Sequence, residues 1–250
     1  MALQKFYSES ERLSYNPVRS IPGFKWHNKI FSFDDRFITV KKYLDKLVKK
    51  VDKPKIKLLD IGIGDAVYES MLDKESLKGL EVYGVDISAK QLKRSKKYLV
   101  EGKVVDIDKS MLPYKDNFFD VILISEVLEH IFYPDKVLNE TARVLKPGGF
   151  LILTFPNSAA LQLRLSLFLF GHSPLLNYPR NKEHIRYFNF GDILKMVNNK
   201  LKVVEFRGLS SFLFDQWNFP LGFFTPRILQ ILGDQFFPKL ALGNIVIFKK

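Results

Sequence analysis

The chain is 250 residues long, 46% hydrophobic and 26% charged, which is enough to bury a full core and too apolar for global disorder. It has no cysteine, which excludes disulfides, thiolate metal sites and any cysteine nucleophile. A formal net charge of +12 would suit an anionic partner, but the lysines are scattered and read first as a solvated surface.

The chain opens on MALQKFYSESER, which has no apolar core of a signal peptide, so none is expected. The longest apolar run, LRLSLFLFG near 163–171, is too short to span a bilayer. The expectation is a cytoplasmic protein, with peripheral membrane contact left open. Residues 1–33 are aromatic and irregular, with two prolines and a glycine in NPVRSIPGFKW, and read as a packed arm or lid. Residues 34–250 then form the main domain. DDRFITVKKYLDKLVKK places Phe37, Val40, Tyr43, Leu44, Leu47 and Val48 at helical spacing after an acidic start.

From there strands and helices alternate. KIKLLDI reads as a buried strand, Ala66 to Asp73 as a helix and LEVYGVDI as a second strand. Ser88 caps a helix to about Leu99, and GKVVDI is a short third strand. FFDVILIS is apolar throughout, as a strand buried on both faces would be. Pro134 to Leu145 is helical, and KPGG turns into the strand FLILTFPN. FNFGDILKMVNNK reads as a helix, and LKVVEFRG and NIVIFKK as late strands. This order predicts a parallel, doubly wound sheet with ligands at the carboxyl ends of its strands. Two insertions, about 158–185 and 209–242, interrupt the pattern and are candidate substrate covers.

The loop LLDIGIGDA carries the first chemical signal. Its glycines let backbone N–H groups approach a ligand at the start of a helix. A dinucleotide loop would want a third glycine at position 67, where this chain has Val67. Asp60, just before the glycines, would repel a pyrophosphate but attract an ammonium or sulfonium group.

LLDIGIGDA resembles the first motif of the class I S-adenosylmethionine-dependent methyltransferases, with Ala66 in place of the last glycine. YGVDIS is similar to the second motif. LPYKDNFFDVILISEVLEHI and RVLKPGGFLILTFPN resemble later motifs of the small-molecule branch, and EHIRYFN a further element of it. The resemblance runs from about Lys55 to Val204. It implies a Rossmann-like, doubly wound, mostly parallel seven-stranded sheet with helices on both faces. It also implies S-adenosyl-L-methionine as cofactor and S-adenosyl-L-homocysteine as product.

By the same resemblance Asp60 approaches the methionine end of the cofactor, and Gly62 and Gly64 give the close backbone approach. Asp86 accepts the ribose hydroxyls and Ile87 packs on adenine. Asp106, followed by Ile107, meets the adenine amino group by its place after the third strand; counting back from LPY favours Asp108 instead. Ser125 and Glu126 line the methionine portion. His130 is either a general base or a structural histidine. His184 and Arg186 either fix an insertion over the site or hold an anionic group of the acceptor. No metal site is expected.

The segment 209–242 holds eight aromatics, Phe212, Phe214, Trp217, Phe219, Phe223, Phe224, Phe236 and Phe237. Trp217 and Phe224 are the candidate acceptor contacts, against core packing or a dimer seam as the plainer readings. The expected partner is a small-molecule, lipid-linked or glycan acceptor, with nucleic acid disfavoured and a monomer or homodimer as the assembly. The function expected is methyl transfer to an O, N or C nucleophile. The alternatives are a non-catalytic cofactor-binding subunit and an RNA-modifying methyltransferase.

Overall fold

The computed structural model describes residues 35–50, 54–171, 184–209 and 227–250. Seven strands form one sheet: β1 Ile56–Ile61, β2 Leu80–Asp86, β3 Glu101–Val104, β4 Phe119–Ser125, β5 Leu145–Pro156, β6 Lys202–Leu209 and β7 Gly243–Lys249. Their order is β3-β2-β1-β4-β5-β7-β6, and β7 alone runs against its neighbours. The expected doubly wound, mostly parallel seven-stranded architecture is what forms. The strand order reverses between β1 and β4, and a crevice opens there at the carboxyl ends.

Alternation along the strands divides the core in two. Leu59 and Ile61 of β1 face one side of the sheet, where Val137 and Leu138 of α5 (Pro134–Val144) and Ile193 and Val197 of α7 (Phe190–Val197) cover them. Ile56 and Leu58 face the other, covered by α1 (Asp35–Lys50), α2 (Val67–Met71), α3 (Lys74–Lys78) and α4 (Ala89–Ser95). The apolar stripe of α1 lies inward as its spacing predicts, with Phe37, Val40, Tyr43, Leu44 and Leu47 all buried. Burial on both faces is why the central strands read as unbroken apolar runs. Two further helices, α6 (Leu161–Phe170) and α8 (Arg227–Phe236), lie in the two insertions.

Two local expectations need correction. The helix expected from Ala66 to Asp73 already stops at Met71, where Leu72 turns extended, and a further short helix, α3, follows it unforeseen, capped by the Asp73 carboxylate accepting from the Ser76 amide at 2.7 Å. KPGG lies inside β5 rather than before it. It bulges out between the pairs Phe119–Leu145 and Val121–Phe150, with Gly148 at φ +79°. Elsewhere the caps match the sequence. Ser88 accepts from the Gln91 amide at the start of α4, and Asn189 and Asp192 form a reciprocal capping box on α7.

Candidate cofactor cavity and its histidine rim

A cavity of about 380 Å³ opens at the crevice between β1 and β4. Asp60, Gly62, Gly64, Asp86, Ile87, Asp106, Ile107, Ser125, Glu126 and His130, all singled out from sequence, line it together. Asp108, the alternative to Asp106, lines it as well. Its wall holds six carboxylates, Asp60, Asp65, Asp86, Asp106, Asp108 and Glu126, against the cations Arg36 and Lys109. A chain with a net charge of +12 has built an acidic hollow, suited to a cationic ligand.

The loop after β1 is shaped by its backbone. Gly62 has φ +78°, and a Cβ there would come within 2.5 Å of a Val127 methyl. Gly64 has φ +54° but open space beside it, so only its conformation requires glycine. Ala66 occupies the same left-handed region at φ 56° and is fully buried, which accounts for the glycine that the resembling motif carries at this place. The Gly64 amide donates to Asp86 Oδ2 at 2.9 Å and the Ser88 amide to Oδ1 at 2.8 Å. Asp86 therefore stands fixed at the end of β2.

Beneath the loop, Asp60 meets Glu69, which is fully buried in α2. The two buried carboxyls interact directly, and burial disfavours two adjacent anions there, so the pair favours holding a proton. Burial first, then the neighbouring Glu69, pushes Asp60 well above the usual carboxylate range. Glu69 is pushed up to about 7 by its own burial. Sequence reading missed Glu69, as it missed Arg36, Phe37 and Tyr68 of the cavity lining. Arg36 Nη1 pairs with Glu126 Oε2 at 2.8 Å, and the Thr154 hydroxyl donates to Glu126 Oε1 at 3.1 Å. Ser125 joins Thr154 at 2.8 Å and also bonds the Tyr68 hydroxyl, so one polar chain crosses the end of the sheet. Glu126 holds its place at φ +54°, an unusual conformation for a side-chain-bearing residue and common where a site fixes its groups.

After β3, Asp106 accepts from the Asp108 amide and pairs with Lys109. Asp108 spends Oδ1 on the amides of Phe132 and Tyr133 at 2.9 and 3.1 Å. The tentative acceptor residues divide. His184 packs edge-on to His130 with ring centroids 4.9 Å apart, and the Arg186 guanidinium donates to the Phe132 carbonyl at 3.0 Å. That bond ties the segment at 184–186 to the cavity rim. Glu129 lies between the histidines, bringing together a cluster able to hold a metal where none was expected. Trp217, Phe224 and the arm 1–33 lie outside the described residues.

A family model described as the methyltransferase domain matches residues 59–153. The chain is 28% identical over 120 residues to the ubiquinone biosynthesis O-methyltransferase of Nitrosomonas europaea, covering 46% of this chain and 49% of that one. Over 118 residues it is 36% identical to the 27-O-demethylrifamycin SV methyltransferase of Amycolatopsis mediterranei, covering 42% of each. The chain thus spans about half the length of the curated relatives it matches. A solved structure of an S-adenosylmethionine-dependent methyltransferase from Archaeoglobus fulgidus shares the fold, with a TM-score of 0.52 and 17% identity over 87% of this chain and 98% of that one.

Proposed function

We propose that this chain, which carries the class I S-adenosylmethionine-dependent methyltransferase domain, moves a methyl group to an O, N or C nucleophile of a small-molecule, lipid-linked or glycan acceptor. The observation that carries the reading is the convergence of Asp60, the two glycines, Asp86, Ser125 and Glu126 on one acidic cavity. The family uses S-adenosylmethionine, and the residues present fit it. The glycine loop admits close approach, Asp86 is an aligned carboxylate at the ribose place, and Asp60 lies buried in β1 just before the loop. When bound, this cofactor supplies an electrophilic methyl whose bonding pair stays on sulfur as the acceptor's pair forms the new bond.

The chain's own residues position and shield. Asp86 would take the ribose hydroxyls as charge-assisted hydrogen bonds. Asp106 or Asp108, both in the cavity lining, would meet adenine. Ile87 and Ile107 offer apolar faces for the ring. The Tyr68–Ser125–Thr154–Glu126 chain would hold the methionine end, with Arg36 fixing the Glu126 carboxylate. Alignment in a dry site is sufficient for displacement at a sulfonium methyl.

Two observations favour an apolar acceptor with an oxygen nucleophile. Both insertions leave the sheet on the cavity side, because Pro156 and Leu209 pair with the same residue, Gly243, at the carboxyl end. The described part of the insertions bears exposed Leu167, Phe168, Phe170, Phe236 and Phe237. The two relatives above are both named for O-methylation. No described helix is long and apolar enough to cross a membrane, and contact with a membrane surface stays within the proposal. A non-catalytic subunit is the weaker reading, since every acidic position of the cavity is intact.

Calorimetry with S-adenosylmethionine tests the reading. The unmodified chain should bind one equivalent, and Asp86→Ala should lose roughly 1.5–3 kcal/mol, a charged hydrogen-bond acceptor removed. Binding of the folded variant within twofold of the parent would overturn the site. Transfer of a labelled methyl to hydroxylated apolar acceptors, above transfer to RNA, tests the acceptor class.

A further inference from the structure

We infer that Glu129, His130 and His184 form a binding site for one divalent first-row transition-metal ion at the rim of the cofactor cavity. The three ligand atoms lie within 4.8 Å of one another. Nε2 of each histidine stands 3.9 Å from the same Glu129 oxygen. Two ligand atoms each about 2.1 Å from a tetrahedral ion stand about 3.4 Å apart, so each carboxylate–imidazole pair needs to draw in by about half an ångström. The two imidazole nitrogens, within 4.8 Å of each other, close further to share the ion.

The surroundings hold this arrangement in place. Glu129 and His130 lie in a tight turn, Leu128–His130, that follows β4. The Ile185 and Arg186 amides both donate to the Glu129 carbonyl, at 2.9 and 3.1 Å, so the chain bearing His184 is clamped against that turn. The Arg186–Phe132 bond adds a third tie. Ligands carried on elements locked by backbone hydrogen bonds are preorganised. Glu129 has 1% of its side chain exposed, and the histidines 15% and 14%.

One carboxylate and two imidazoles is a donor set for zinc, manganese, iron or cobalt rather than for magnesium or calcium. Three protein ligands leave coordination positions open, and His130 belongs to the cavity wall. An oxygen of the acceptor can complete the shell there. A bound hydroxyl then loses its proton to water more readily, and its oxygen pair forms the bond to the methyl carbon. As a ligand, His130 commits its Nε2 to the ion and is not the proton acceptor. Glu126 stays outside the set, engaged by Arg36 and Thr154.

The test uses zinc and cobalt salts with the chelator-stripped full chain and no cofactor. One ion per chain should bind, and cobalt should give the visible absorption of a nitrogen-ligated, low-coordinate site. His184→Ala should weaken zinc at least about tenfold while S-adenosylmethionine binding is kept. Glu129→Gln should do the same, with circular dichroism confirming the fold of each. Asp86→Ala should keep the ion and lose the cofactor, so failure of this site and failure of the cofactor reading are separable. No stoichiometric uptake by the unmodified chain, or an affinity that His184→Ala leaves unchanged, overturns the inference.

Discussion

The half of the sheet formed by β3, β2, β1 and β4 and the half formed by β5, β7 and β6 solve different problems. In the first, every loop end facing the cavity is pinned by a charged side chain on a backbone amide: Asp86 on Gly64 and Ser88, Asp108 on Phe132 and Tyr133. In the second, β6 exposes Val203 and Val204, and the attached α6 and α8 present large apolar side chains outward. Phe168 of α6 is 84% exposed. A half that must present fixed charges to one cofactor tolerates little freedom. A half that meets an apolar surface needs area more than geometry, because hydrophobic contact is non-directional.

The largest effect that would sharpen this contrast is at Gly62. Gly62→Ala drives a methyl into Val127 and holds alanine at positive φ, so it should cost about 2–4 kcal/mol from overpacking and strain together. Gly64→Ala meets no neighbour and should cost only about 1 kcal/mol. Denaturation midpoints and cofactor titration measure both. Equal losses would mean that Val127 yields and that the loop is softer than its contacts imply.

A middle-sized effect concerns the buried Asp60–Glu69 pair. Glu69 has its folded-state pKa raised from 4.5 to about 7, so the protonated form is favoured on folding. That contribution is complete below pH 4.5 and is lost as pH rises through about 7. Glu69→Gln should remove this slope, leaving the variant more stable than the parent at about pH 8 and little different at about pH 5. Cofactor affinity should move the opposite way in the parent, rising with pH as Asp60 ionises toward the cofactor's ammonium. Parallel stability–pH curves for parent and variant would show that Glu69 is not the proton's partner.

The smallest effect is on the outer half. Phe168→Ser should change stability by no more than about 0.5 kcal/mol and leave cofactor affinity alone, since the ring is exposed. Its effect belongs in the acceptor's KM. If cofactor binding fell instead, the two halves would be coupled and the contrast drawn here would fail.

The sequence by itself determined the alternation of elements, the doubly wound sheet and the line of acids along its carboxyl ends. Those features are written locally, in unbroken apolar runs, in glycines two apart and in acids that directly end strands, and backbone periodicity carries them without help from distant residues. Ala66 was legible only as a small residue in the last glycine's place, and its left-handed φ came from the structure. The early helix end at Leu72 and the KPGG bulge escaped because the alternatives differ by one residue's ψ or by a strand register, which neighbours in space decide. Tertiary structure alone set Arg36 against Glu126, slid Glu69 beneath Asp60, and closed His184 onto Glu129 and His130. Each of these pairs residues from separate elements, and their charges and protons depend on burial. Burial belongs to the packed sheet and helices, and no single segment of the chain contains it.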